Sequence, residues 1–432
     1  MFQTVRNAWR IDEIKKKMLF TLFIIFLFRI GNAVTVPYVN TALLSNYFDS
    51  LKNTVLGLYN VMSGSSFSTA TIFALSIQPY INASIIIQLL TIAIPALERL
   101  QKDGGEDGKK KIASITRYST VGIGLFQGFA YYLLLKNNNL LADSGGTIWA
   151  AIIIIMTFTA GSALLMWMGE QITEFGIGNG ISIILFASIV SRFPNRILTA
   201  IDHIRTTPST WFIYVLMWVG ALAIIVMIVI VTNAERRIPV QYSKRVVGRK
   251  VYGGQSTHLP MKVNMSGVLP IIFAQSIASL PATVAAFFAS PKEGTFWYWL
   301  LQVLDTKSLL YAVVYFLLIV FFSYFYSTVQ FNPVEIANNL KKNGGFIPGF
   351  RAGKPTSEFI SKVLSKITMF GAIYLGIIAI TPIIIAHYSE TAASSGIHLG
   401  GTSIIIVVGV ALETIKALET QMLMRHYKGF LE

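Results

Sequence analysis

About 20 consecutive apolar residues, wound as a helix at ~1.5 Å per residue, cover the ~30 Å of hydrocarbon in a bilayer. This chain holds ten such runs, at residues 18–37, 72–97, 115–135, 147–168, 177–193, 211–232, 266–289, 309–329, 367–388 and 401–421. The fifth is short, and the tenth is interrupted by Glu413, Lys416 and Glu419. Composition agrees: 54% of the 432 residues are hydrophobic and only 13% are charged. A soluble domain needs about a quarter charged residues to cover its surface, so a soluble enzyme and a disordered chain are both excluded. Cysteine is absent, which removes disulfides, zinc–thiolate sites and thiol nucleophiles. The expectation is an all-α polytopic membrane protein. Lys15, Lys16 and Lys17 precede the first run, but no small-residue cleavage site follows it and Arg29 interrupts it. It therefore reads as a span rather than a removable signal peptide.

Basic residues are retained on the cytoplasmic side of a membrane. With the N-terminus inside, 27 of the 35 Lys and Arg fall in inner segments. Only Lys52, Lys136, Arg192, Arg196, Arg205, Lys292 and Lys307 fall outside. Both termini are therefore expected in the cytoplasm. Ten spans divide into two sets of five, residues 1–204 and 205–432, with the seam in an outer loop around 194–210. Because five is odd, the second set enters the bilayer inverted relative to the first. The second span of each set is the oddest. One carries Pro79 and Pro95 with Gln78, Asn82 and Gln88; the other carries Pro270 and Pro281 with Gln275, Ser276 and Ser279. Interrupted segments at corresponding positions of two halves point to a substrate path.

Ion-coupled carriers usually keep carboxylates or histidines inside their spans. Here every Asp and Glu lies in a loop or at a membrane edge, with Glu413 and Glu419 nearest to exceptions. Arg29 is the one basic residue well inside a span. A central arginine costs roughly 2.5–3.5 kcal/mol on insertion scales, so Arg29 is expected to face the protein interior and tie helices together. Enzyme motifs fail. No HExxH occurs among the five histidines, and Gly349 to Pro355 is a residue short of a phosphate loop. Gly176 to Gly180 reads as a tight turn into the fifth span. No metal or cofactor is implied, and any energy must come from a partner.

At the second span the reading becomes specific. Ile72 to Thr91 (IFALSIQPYINASIIIQLLT) closely resembles the signature of the SecY family, the central subunits of bacterial protein-conducting channels. Further matches follow in order along almost the whole chain. They are Arg29-Ile-Gly31 with Val36-Pro37, Gly176 to Ser182, Asn233 to Val240, Phe346 to Arg351 with Gly353, and Gly400 to Ser403. Two positions depart from the family: Tyr38 and Ser76 stand where it usually has Gly. Both bear on helix packing or plug seating.

The resemblance implies that the ten helices surround a central hourglass pore with a mid-membrane ring of apolar side chains. Carried over position by position, that ring is Ile81, Ile85, Ile181, Leu185, Ile272, Ser276 and Ile406. The i, i+4 spacing in three of the spans puts each pair on one helix face. Branched aliphatic groups offer no hydrogen bonds, so such a constriction can gate by dewetting and still close around an extended chain. Segment 56–70 corresponds to the plug, with Leu58, Tyr59, Met62, Gly64 and Phe67. It is a short half-helix that sits below the ring and moves aside. Lateral opening would separate spans 2 and 3 from spans 7 and 8, with Gln88 and Gln127 along the seam.

Loop 233–265 carries seven basic residues and one acid, Glu235, around a β-like stretch from Arg237 to Tyr242. That length and patterning exceed what topology requires, and suit a phosphate-rich or acidic partner. The resemblance assigns this loop and the one spanning 330–366 to docking of the ribosome, through its RNA, or of the SecA ATPase. The residues concerned are Arg236, Arg237, Lys244, Arg245, Arg249, Lys250 and Arg351. It also implies SecE and SecG subunits, signal sequences, secretory polypeptides and membrane lipid as partners. The expected function is a protein-conducting channel subunit of a bacterial plasma membrane, without enzymatic activity. The alternative is an inverted-repeat secondary transporter of a small molecule, which would need a charged ligand group within the membrane.

Overall fold

The computed structural model describes residues 2–50, 60, 63–102, 104–142, 145–208, 211–242, 245–247, 250–252, 256–265, 267–287, 308–388 and 401–428. In the first part of the chain the helices are α1 (Phe2–Trp9), α2 (Asp12–Gly31), α3 (Thr41–Ser50), α4 (Gln78–Ala93), α5 (Pro95–Lys102), α6 (Gly105–Asn137), α7 (Ile148–Phe175), α8 (Gly180–Val190) and α9 (Phe193–Thr206). Then come α10 (Trp211–Asn233), α11 (Leu269–Phe287), α12 (Leu309–Gln330), α13 (Pro333–Lys342), α14 (Lys354–Tyr388) and α15 (Gly401–Lys428). Each of the ten apolar runs contains a helix: α2, α4, α6, α7, α8, α10, α11, α12, α14 and α15. Helices suit these runs because they satisfy every backbone polar group internally, which hydrocarbon requires.

Several spans differ from their sequence outlines. The first was expected over 18–37, but α2 ends at Gly31. The second was expected over 72–97, but α4 begins only at Gln78. The preceding residues are held by an extended pairing, with Val36 N–H donating to the Ala70 carbonyl and Ile72 N–H to that of Val34. Pro79 lies in the first turn of α4, where its missing N–H costs nothing. At the other end the chain turns by 104° between α4 and α5, at Pro95. Pro270 occupies the same second helical position in α11 as Pro79 does in α4. The expected outer loop around 194–210 is also largely helical, as α9. With only 11 residues, α8 rises about 17 Å, and the continuation into α9 gives a 27-residue stretch from Gly180 to Thr206.

Neighbour relations recur between the two halves. In the first, α4 packs on α6, α6 on α7, α7 on α8, and α2 on α8. In the second, α11 packs on α12, α12 on α14, α14 on α15, and α10 on α15. The halves meet where α11 touches both α4 and α6, and where α15 touches α8. Helix α1 lies against α15, with Thr4 Oγ1 donating to Glu419 Oε1 at 3.3 Å, so the beginning of the chain and the end of α15 share one face.

The β-like stretch is β1 (Glu235–Tyr242), in a sheet with β4 (Ser256–Lys262) and β5 (Gly345–Phe346). Strand β1 is central and antiparallel to both, Glu235 facing Lys262 and Gln241 facing both Ser256 and Phe346. Ile238 and Val240 point inward to a small core with Met261, Ile347, Ile360 and Leu364. A hairpin, β2 (Arg245–Val247) with β3 (Lys250–Tyr252), extends from it.

Candidate functional site

Four helices from both halves converge on the largest buried apolar cluster. Ile81 (5% exposed), Ile85 (3%), Leu185 (1%), Ile272 (2%) and Ile406 (1%) all belong to it, and Ile181 packs against it half-buried. Ser276 is buried beside Ile272 on α11, and among the described residues its hydroxyl has no hydrogen-bond partner. Asn179 positions the α8 pair: its side chain accepts from the N–H groups of Ile181 and Ser182, capping the helix at 3.1 and 3.3 Å. Gly178, with φ of +72°, supplies the turn before it. The aliphatic groups from α4, α8, α11 and α15 belong to one apolar core that they share with residues of α2, α7, α10, α12 and α14. Burying each is worth about 1.5–3 kcal/mol. Ile77, Ile184, Ile271 and Ile405 are as deeply buried in the same cluster. Sequence reasoning did not single them out, because α8 and its neighbours are apolar on every face.

Of the expected plug residues, Leu58, Tyr59 and Met62 lie outside the described residues. Gly64 sits with φ of +68° against the C-terminal end of α8, where an added Cβ would fall 3.0 Å from the Ser188 carbonyl. Phe67 is not at the ring. It is buried in a second cluster, stacked on Tyr131 at 4.5 Å and edge-on to Phe48 at 5.2 Å. The Tyr131 hydroxyl donates to the Phe67 carbonyl, and Ser66 Oγ bonds Asn32 Oδ1 at 2.8 Å. Phe67 therefore ties the segment after Gly64 to α3 and α6, and Ser66 ties it to the end of α2.

Gln127 is buried on α6, but Gln88 is not brought beside it among the described contacts. Gln88 lines a cavity of about 370 Å³ with Tyr80, Ser84, Thr91, Lys109, Thr116 and Glu170. That cavity lies between α4, α5, α6 and α7, within one half rather than across the α4–α11 contact. Its rim carries the Arg117–Glu170 ion pair at 2.9 Å.

The two basic loops share the β4–β1–β5 sheet, which sequence reasoning treated as separate segments. Arg236 and Arg237 are exposed on β1, and Arg237 Nε donates to Glu235 Oε1 at 2.7 Å. Arg245 and Lys250 stand in the β2–β3 hairpin, facing Tyr252 and Val247 in register; Lys244 and Arg249 lie outside the described residues. Arg351 is exposed on a turn bounded by Gly349 (φ +89°) and Gly353 (φ +106°). Phe350 stacks on Phe359 at 4.2 Å, and the Arg351 carbonyl accepts from Thr356 Oγ1 at 2.8 Å. The backbone is pinned while the guanidinium projects.

The SecY family model matches residues 71–415. This chain belongs to the SecY family. It is 42% identical to the protein translocase subunit SecY of Streptomyces scabiei over 441 residues, covering 100% of both chains. It is 39% identical to that of Thermotoga maritima, covering 100% of this chain and 98% of the relative. Among solved structures it superposes on a protein-conducting channel with a TM-score of 0.66 at 17% identity, over 95% of this chain and 93% of that one. It superposes on an idle yeast Ssh1 complex bound to the 80S ribosome with a TM-score of 0.63 at 13% identity, over 95% and 89%. The fold is thus the all-α, polytopic SecY channel fold.

Proposed function

We propose that this chain is the channel subunit of a bacterial protein translocase. It passes unfolded secretory polypeptides across the plasma membrane and releases apolar segments sideways into lipid. The observation that carries this reading is the match to the SecY family over residues 71–415; the burial of Ile81, Ile85, Leu185, Ile272 and Ile406 in one apolar core supports the ring. Such a cluster seals by apolar contact alone and yields to a threading chain without binding any one side chain. The repeated neighbour pattern supports two five-helix halves, parted between α8 and α10. Its C-terminal half supplies the charged sheet, whose Arg236, Arg237 and Arg351, with the hairpin cations, suit an acidic or phosphate-rich partner. That partner is the SecA ATPase or the ribosome, and SecE and SecG are the expected membrane subunits. Cytoplasmic termini follow from the inner excess of basic residues and the α1–α15 contact. A small-molecule carrier is disfavoured: the convergence is aliphatic and offers no ion pair to a solute. The chain itself would drive no chemistry.

The test uses the absence of native cysteine. A photoactivatable probe on Ile81→Cys is expected to crosslink a secretory polypeptide stalled in transit, while the same probe on lipid-facing Leu216→Cys is not. Equal labelling at the two sites, or none at residue 81, would overturn the proposal.

A further inference from the structure

We infer that a cavity of about 280 Å³ beside the proposed ring is a holding site for carboxylate side chains of a polypeptide in transit. The polypeptide as the source of the carboxylate rests on the channel reading; the site itself does not. Its charge is set by Lys262, Lys416 and Glu413, with the side chains of Asn179, Asn264 and Gln330 around them. Two cations against one acid leave an excess of positive charge, and that acid is already engaged. Gly267 stands at φ of +63° just before α11, and a Cβ there would fall 2.6 Å from Glu413 Oε1. The carboxylate therefore lies against the N-terminal end of α11, whose first N–H groups carry partial positive charge. Glu235 faces Lys262 across the β1–β4 pairing, but its Oε1 accepts from Arg237 Nε. Among the described residues neither lysine side chain makes a hydrogen bond or a contact ion pair. An arriving carboxylate meets two ammonium groups, whereas an arriving ammonium is repelled by both.

Position supplies the source. Three of the four helices that carry the proposed ring also line the cavity. Ser182 precedes Leu185 on α8 by three residues, Leu269 precedes Ile272 on α11 by three, and Leu412 follows Ile406 on α15 by six. At ~1.5 Å of rise per residue, the cavity lies roughly 5–9 Å from the ring along the helices. An extended chain advances about 3.3 Å per residue, so an acidic side chain two or three residues short of the ring reaches the lysines. A free anion gains little from two partly solvated lysines. A carboxylate on a threaded chain is instead presented at an effective concentration of roughly millimolar order. Beyond the cavity the acid must enter the apolar core, where an unpaired charge is strongly disfavoured. The lysines hold acidic residues at the threshold of the constriction, and basic residues pass it unheld.

The test uses the full chain in its native complex, with Asn264→Cys as the one cysteine of the chain. A secretory polypeptide is stalled in transit with a cysteine beside a short stretch of Asp, Asn or Lys, moved in one-residue steps toward the ring. Bismaleimide adducts to residue 264 are scaled to those formed at Ile81→Cys in a parallel sample. The Asp stretch is expected to raise the scaled adduct about fivefold over Asn, the upper end for solvated ion pairs, and the Lys stretch to lower it. Lys262→Gln combined with Lys416→Gln should erase the difference, and Glu413→Gln should keep it. Equal adducts for the three stretches, an Asp preference that survives the double variant, or adducts to another resident chain when no polypeptide is stalled would overturn the inference. A second readout needs no channel. In nanodiscs, a fluorophore on Asn264→Cys should respond saturably to the peptide acetyl-Asp-Asp-Asp-amide and not to its Asn analogue, and the double variant should abolish the response. Loss of the residue 81 adduct with this response intact would remove the channel reading and leave the anion site standing; no response to the acidic peptide would remove the site.

Discussion

Tyr38 and Ser76, the two residues that stand where the family usually has Gly, have φ of 67° and 52°. Side chains with a Cβ are strained in that region by about 1–2 kcal/mol, which gives the family's Gly a physical reason. Ser76 carries a second penalty: among the described residues its buried hydroxyl has no partner. Ser76→Gly is therefore expected to raise stability by about 1 kcal/mol after allowing for the extra freedom of Gly in the unfolded chain. Thermal unfolding in one detergent would measure it, and an unchanged or lower midpoint would refute the account. At the convergence the sign reverses. Ile81→Asn or Ile406→Ser replaces a water-excluding group by one that holds water, losing about 1.5–3 kcal/mol of apolar burial. Both variants should leak ions from proteoliposomes and export proteins with weakened signal sequences; an unchanged leak together with unchanged signal stringency would count against the ring.

At the scale of elements, the apolar runs and the alternating strand were legible because each is a local pattern. Ile238 and Val240 inward with Arg237, Pro239 and Gln241 outward is the period-2 code of a half-buried strand. Contacts between distant segments were not legible. Phe67 reads as part of a small, mobile plug, yet Tyr131, 64 residues away, holds both its ring and its carbonyl. Arg29 reads as an internal tie, but the Gly31–Phe73 contact turns it outward. Helix α9 hid behind Arg196, Asp202, His203 and Arg205, which break an apolar run without breaking a helix. The isoleucines of the convergence were legible only through resemblance, since a helix apolar all round has no periodicity that chooses among them. The turn around Arg351 makes a sharper expectation. With its backbone pinned by Phe350–Phe359 and Thr356, Arg351→Glu should leave the sheet intact and reverse only the projecting charge. Motor-driven export should fall by about tenfold or more at low salt, because a rim charge acts mainly on encounter. The wild-type docking rate itself should weaken as salt shortens the Debye length from ~30 Å at 0.01 M to ~8 Å at 0.15 M. Full export by the charge-reversed variant, with normal assembly, would remove Arg351 from the docking surface.

The whole molecule adds a constraint that no single element carries. The order of contacts among α2, α4, α6, α7 and α8 returns among α10, α11, α12, α14 and α15, and an odd number of crossings in each set inverts the second against the first. Orientation then follows from two independent facts. With ten crossings and the N-terminus inside, 27 of the 35 basic residues would fall on the inner side, and α1 packs on α15 so that the two ends of the fold share a face. The charged sheet belongs to that side, because β1 leaves α10 through Ala234 alone and β4 leads back into α11 within a few residues. Asn138, beyond α6, belongs to the other. Single cysteines in this cysteine-free chain make the arrangement measurable. A membrane-impermeant maleimide should label Asn7→Cys and Arg351→Cys in inverted vesicles but not in intact spheroplasts, and Asn138→Cys in spheroplasts only. If Asn7→Cys and Arg351→Cys were labelled from opposite sides, an even number of crossings would no longer separate them. The paired five-helix halves, and with them a pore built from α4, α8, α11 and α15, could then not stand.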